Sequence, residues 1–408
     1  MMPTLLLPLA PLAATLSPAF LPDGSHAEDA RHLADEIARR YAYFDEIEDV
    51  WDEASEELVA RAEAAETDRA FFVALEEFLT LLADDHSFLG SNLAASPRLA
   101  PSGVDLWPVW DGERLVVESV RRGSTAWERG IRAGDEIVSV GGRAPAEVAL
   151  DALHPARDPG DARAWAWAAR QCVGGPRDRP LALRLRSDGG ERSIEYMPGT
   201  PRPAHGPLSA EVIEGNVGVV RVHDGLGDRA LIEAFDRALE ELRGTRALVL
   251  DLRSTPGGGN TTVARAIMGR LVTEERPYQR HVLAEEERAF GVERVWIERV
   301  APRGPFPYEA PVVVLVGRWT GSMGEGLAIG LAGMGRATLV GGRMAGLRGA
   351  LGTIRLPGSG IAVHVPVERL STVRAVPRED VVPGVIALQG PGDEDAALAA
   401  ALRLLGGR

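Results

Sequence analysis

The chain contains no lysine, and all 45 of its basic residues are arginine. That absence excludes a Schiff-base lysine, a phosphate-loop lysine and any serine–lysine dyad. Cysteine is almost missing as well. Cys172 stands alone, so an intrachain disulfide and a Cys-rich metal site are excluded. Its surroundings, 168-AARQCVGG-175, carry no motif and fit a small buried hydrophobe. The eight histidines show neither HxxxH nor HExxH spacing, so no metal centre is expected, and nothing calls for a cofactor. Basic charge is in short supply: 59 acidic residues leave a net charge of -14. That balance argues against nucleic acid as the main partner. Beyond the N-terminus no run is apolar enough to span a membrane.

What is present has the texture of a globular protein. A length of 408 residues predicts two or three domains. The opening 4-TLLLPLAPLAATLSPAF-20 is apolar and uncharged, and Ser25 and Ala27 are small residues suited to a cleavage point. Residues 1–27 are therefore read as an export signal. The missing basic residues at the start and the interrupting prolines speak for the other reading, an irregular start on a cytoplasmic chain.

Residues 28–95 read as an N-terminal helical domain. Phe71, Leu75, Phe78, Leu79 and Leu82 form one stripe at helical spacing, and Thr67 is placed to cap that helix. Residues 96–200 read as a compact module of short strands, including 114-RLVVESV-120, 136-EIVSVGG-142 and 181-LALRLRS-187. After the Pro-rich 198-PGTPRPAHGP-207, strands and helices alternate. The apolar runs 246-RALVLDLR-253 and 311-PVVVLVG-317 predict buried strands, and 229-RALIEAFDRALEEL-242 predicts a helix packing on them. Residues 205–408 thus read as an α/β domain with a largely parallel sheet.

Three segments have the residue types for chemistry. In 319-WTGSMGEGLAIG-330, Ser322 stands where a buried strand turns into a helix. A serine there caps the helix, or it is a nucleophile held where helix amides favour negative charge. In 251-DLRSTPGGGN-260, three glycines let the backbone approach a ligand and turn its amides inward, as an oxyanion hole or a phosphate loop. In 84-DDHSFLG-90, His86 ends an amphipathic helix. With lysine absent, it is the attractive general base for a serine.

Together these segments resemble the motifs of serine peptidase family S41, the C-terminal-processing and tricorn-core peptidases. The segment 320-TGSMGE-325 is similar to T-x-S-A-x-E around the family's nucleophile. The segment 251-DLRSTPGG-258 is similar to D-L-R-x-N-x-G-G, with Thr255 in place of asparagine. The segment 78-FLTLLADDHSFL-89 resembles the L-x-D-x-H-[ST] of the tricorn-like branch. The segment 123-GSTAWERGIRAGDEIVSVGG-142 resembles a PDZ signature.

The resemblance implies a spiral α/β core of the ClpP and crotonase kind, with an N-terminal helical domain and a PDZ-like β-rich domain. It implies a serine peptidase acting on proteins or peptides. Where one branch of the family has its catalytic lysine, this chain has Arg348, which stays protonated and cannot act as a base. The branch using serine, histidine and glutamate assigns Ser322 as nucleophile and His86 as base. Glu379 is the nearest carboxylate to the family's orienting position, Glu368 the second choice, and Ser87 a relay beside the histidine. The oxyanion would be held by the Met323 amide and an amide of Gly257 or Gly258. The PDZ likeness places a peptide-binding loop at Gly103, Val104, Asp105 and Leu106. The alternative is a catalytically silent binding or scaffold protein on the same fold.

Overall fold

The computed structural model describes residues 25–199, 206–392 and 394–406. The proposed signal segment lies almost wholly outside them. Among the described residues no helix is long and apolar enough to cross a membrane.

The core is a six-stranded sheet. In spatial order its strands are Val385–Ile386, Ala337–Gly341, Val312–Val316, Ala247–Asp251, Val217–Val222 and Leu208–Ile213. All neighbours are parallel except the last pair, where Leu208–Ile213 runs antiparallel as an edge. Every residue of Ala247–Asp251 and of Val312–Val316 is buried. Helices cover both faces, which is why these strands read as unbroken apolar runs. Helix Ala230–Glu241 packs Leu231, Phe235 and Leu239 on one face, and helix Ala396–Gly406 packs Ala397 and Ala401 on the other.

A second, antiparallel sheet stands beside the core. It contains Phe88–Leu89, Ala350–Arg355, Ala362–Ser371, Arg276–Leu283 and Arg294–Val300. Three N-terminal helices, Ser25–Arg40, Glu48–Glu63 and Asp68–Leu79, pack against it. Their apolar faces share one cluster with Ile354, Val363 and Val365. The expected helical domain is therefore built onto the peptidase-like core rather than standing apart from it. Thr67 caps the third helix as its position suggested, accepting from the Ala70 amide at 3.1 Å.

The β-rich module is a five-stranded antiparallel sheet in sequence order: Leu106–Asp111, Arg114–Val120, Glu136–Val140, Leu181–Ser187 and Gly190–Tyr196. Helix Ala162–Gly174 covers it and buries Trp167 and Cys172. Cys172 is buried and free, and burial pushes its thiol up to about 12, so it is an inert packing residue.

Candidate active site

Ser322 sits directly after strand Val312–Val316 and its short turn, at the start of helix Met323–Gly333. Its backbone has φ 51° and ψ -118°, a left-handed conformation that favours glycine. Strain of that kind persists only where the surroundings over-determine it. Those surroundings are visible. The Gly321 amide donates to the Thr255 carbonyl at 3.0 Å, and Thr320 Oγ1 donates to the Leu252 carbonyl at 2.9 Å.

The direction of the hydroxyl bears on whether Ser322 acts as a cap or as a nucleophile. The helix end is closed by main chain and by Glu325: the Ser322 amide donates to Glu325 Oε2 at 2.9 Å, and the Glu325 amide donates to the Ser322 carbonyl at 3.0 Å. The Ser322 hydroxyl is directed elsewhere, with Oγ 3.1 Å from His86 Nε2.

His86 reaches that place through a series of local constraints. Ala83 turns left-handed and ends the helical segment. Asp84 Oδ1 accepts the His86 amide at 2.9 Å, while its other oxygen accepts from the Tyr41 hydroxyl at 3.0 Å. Phe88 and Leu89 then join the second sheet opposite His364 and Val363. The 236 residues separating His86 from Ser322 are bridged because a two-residue strand of the N-terminal region is stitched onto the core.

The imidazole is oriented by main chain. His86 Nδ1 lies 2.6 Å from the carbonyl oxygen of Arg348, so Nδ1 carries the proton and Nε2 presents its lone pair to Ser322. Burial, seconded by the Arg378 guanidinium, pushes the His86 pKa down to about 3. The ring is therefore neutral at ordinary pH, in the state a base requires.

The loop that supplies this carbonyl is held residue by residue. Glu325 Oε1 accepts the Gly346 amide at 2.9 Å, and Oε2 accepts the Leu347 amide at 3.1 Å. Arg378 Nε donates to the Leu347 carbonyl at 3.1 Å, and Nη2 donates to that of Gly349 at 2.8 Å. The Arg348 side chain turns away from the serine. It forms a bidentate pair with Glu46 and stacks over Tyr43, 3.4 Å from the ring centre. Arg348 thus contributes its backbone to the site and uses its charge as an anchor. Burial pushes Glu325 up to about 7 in spite of these amides.

Several expected site residues stand elsewhere. Glu379 Oε1 is 3.7 Å from Arg348 Nε, its other oxygen is buried without a hydrogen bond, and it does not bond His86. Glu368 accepts from a different histidine, His281, at 2.8 Å from Nδ1. Ser87 makes no relay, since its hydroxyl is buried and makes no hydrogen bond among the described residues. The acceptor on His86 Nδ1 is instead the Arg348 carbonyl.

The glycine run separates into distinct roles. The Gly257 amide donates to the Asp224 carbonyl at 2.8 Å, so it is not free to hold an oxyanion. The pairing between Gly257–Gly259 and Gly225–Leu226 skips Gly258. A Cβ on Gly258 would lie 2.8 Å from Ser322 Oγ, which places its backbone directly against the hydroxyl. Met323 opens the helix, so its amide has no partner inside the helix.

The loop from Gly103 to Leu106 is bound up with neighbouring segments. The Gly103 amide donates to the Leu99 carbonyl at 2.7 Å, the Asp105 carbonyl accepts from the Arg121 amide, and the Val104 carbonyl accepts from Trp319 Nε1 at 3.0 Å. Val104, Asp105 and Leu106 are buried. The segment is a joint between the β-rich module and the core.

Ser322, His86, Gly258 and Met323 line one cleft of about 730 Å³. A hydroxyl, a neutral imidazole and backbone amides around one cleft are the parts of a serine hydrolase. Residues 216–380 match the sequence model described as Peptidase family S41.

Solved structures share the fold across nearly the whole chain. A photosystem II D1 C-terminal processing protease is 21% identical, with a TM-score of 0.60 over 94% of this chain and 97% of that one. Mature CPAF is 16% identical, with a TM-score of 0.62 over 94% and 95%. A peptidase of Parabacteroides merdae is 14% identical, with a TM-score of 0.56 over 94% and 97%. At these identities the likeness extends to fold and not to substrate.

Two functional groups escaped the sequence reading. Glu325 was legible as the last position of an S-x-x-E capping pattern with Ser322. The Arg348 carbonyl had no signal, because a backbone acceptor leaves no mark on residue type.

Proposed function

We propose that this protein is a serine endopeptidase that cleaves proteins or peptides through Ser322 and His86. The observation that carries the reading is the 3.1 Å approach of His86 Nε2 to the Ser322 hydroxyl. Ser322 Oγ attacks the scissile carbonyl carbon as its proton passes to His86 Nε2. The tetrahedral oxyanion faces the amides of Met323 and Gly258. The C–N bond then breaks, and His86 returns the proton to the leaving amine. Water, activated by the same nitrogen, releases the acyl group and restores the serine.

In this scheme the third group is the Arg348 carbonyl in place of the family's glutamate. It fixes the tautomer and supplies less charge stabilisation to the imidazolium than a carboxylate would. That same feature is what favours the second reading, a weakly active or silent binding protein on this fold. Hydrolysis of unfolded casein separates the two. The peptidase reading requires turnover that Ser322→Ala abolishes; no turnover above the Ser322→Ala level favours the silent protein. We assign the mature protein to the exported fraction on the apolar N-terminus, which N-terminal sequencing of the chain from its native cell tests.

A further inference from the structure

Behind the segment that carries His86 lies a second cavity, of about 490 Å³. The N-terminal helices close one side and the β-rich module the other, through Leu79, Phe88, Leu99, Val148 and Trp167. Its size falls in the range of roughly 300–1,000 Å³ that holds small-molecule ligands. The cavity and the catalytic cleft share a wall that includes Phe88 and Leu99. Successive side chains divide between the two spaces: His86 lines the cleft, and Ser87 lines the cavity.

Ser87 is the buried polar side chain here that lacks a partner: it is 8% exposed, and its hydroxyl makes no hydrogen bond among the described residues. Leaving such a group unsatisfied costs about 1–3 kcal/mol, so each one calls for an explanation.

The carboxylates around the cavity are already engaged. Asp84 accepts from Tyr41 and from the His86 amide, Asp85 pairs with Arg170 at 2.5 Å, and Asp151 pairs with Arg143 at 2.7 Å. Burial pushes Glu76 up, with Ser96 and Arg177 beside it. No arginine or histidine is among the described residues that line the space. An anion would meet these carboxylates with no lining cation to offset them. A cation would have to displace an existing partner. The space suits a molecule without charge.

We propose that this cavity binds a neutral, mainly apolar small molecule whose single polar group hydrogen-bonds Ser87 Oγ. The site is separate from the peptidase machinery, and its test reads binding rather than hydrolysis, so it stands or falls independently of the proposed activity.

The experiment is calorimetric titration of the full chain with three probes of equal length: 1-octanol, octylamine and octanoate. The expected result is saturable 1:1 binding of 1-octanol, at least ten-fold tighter than either charged probe. Ser87→Ala weakens it about five-fold, the loss of roughly one hydrogen bond. Val148→Trp, which fills the cavity from a helix remote from the cleft, abolishes it. Circular dichroism checks the fold of both variants, and Ser87→Ala decides alone if Val148→Trp does not fold. Absence of saturable 1-octanol binding, unchanged affinity in the folded variants, or tighter binding of octanoate would overturn the proposal.

Discussion

His86 Nδ1 lies 2.6 Å from the carbonyl oxygen of Arg348, so this imidazole is oriented by the backbone of the residue that stands near the lysine position of the S41 motif. Arginine there cannot be the base. Its guanidinium anchors on Glu46 and Tyr43, and its carbonyl serves the histidine instead. One residue thus excludes a lysine at this place and supplies the acceptor that orients His86.

If that carbonyl is the orienting group, Glu379 is dispensable for it. Glu379→Gln should change kcat/KM on a peptide substrate by less than about ten-fold. A carboxylate that completes a triad would instead cost on the order of 10⁴ in kcat. Steady-state kinetics of the purified variant, beside wild type, discriminates the two.

Glu325 binds three amides, those of Ser322, Gly346 and Leu347, the last of them buried. Glu325→Ala leaves all three without their acceptor. At about 1–3 kcal/mol for each group, partly relieved by water, a loss of roughly 2–5 kcal/mol is expected. Thermal denaturation should show a clear fall in Tm. A variant as stable as wild type would show that the loop is held by other means.

Gly258 lies against the Ser322 hydroxyl. A methyl group there would meet Ser322 Oγ at 2.8 Å and must displace it. Gly258→Ala should lower kcat by about 100-fold or more while leaving Tm within a few degrees, since the clash is confined to the nucleophile. Equal activity in the variant would remove Gly258 from the site.

The pH dependence has a definite sign. Burial and Arg378 depress His86 to about 3, against an ordinary value near 6.5. The free enzyme therefore keeps its base neutral down to that pH, and log kcat/KM should show no acid limb between pH 5 and 7. A limb near 6.5 would mean a solvated imidazole. The linked stability follows the same shift. The unfolded chain binds the extra proton, so this group's contribution is complete above about 6.5 and is lost as pH falls towards 3. Glu325, raised to about 7, acts in the opposite sense: its contribution is complete below its ordinary 4.5 and is lost as pH rises through 7.

Sequence periodicity revealed the parts whose physics is local. Valine-rich runs became the buried parallel strands, and Thr67 capped the helix it preceded. Residue types and motif order also paired Ser322 with His86 across the chain. What could not be read was set by backbone atoms and long-range packing. Gly257 and Gly258 are identical as letters, yet only the ladder to Gly225 and Leu226 spends the amide of one and spares its neighbour. Distance along the chain points to Glu379 and Glu368. Their partners, Arg348 and His281, are fixed by strand pairing and loop closure that no spacing rule contains. The joint at 103–106 was hidden for a similar reason: Trp319, more than 200 residues away, takes its carbonyl.

The central claim is that Ser322 is a nucleophile activated by His86, and covalent labelling tests it most directly. A fluorophosphonate probe should phosphonylate wild-type protein in a 1:1 ratio, with the adduct mapped to Ser322 by peptide mass spectrometry. His86→Ala should slow labelling by about 10² or more. Failure of the wild type to label, or an adduct formed at the same rate without His86, would contradict the account.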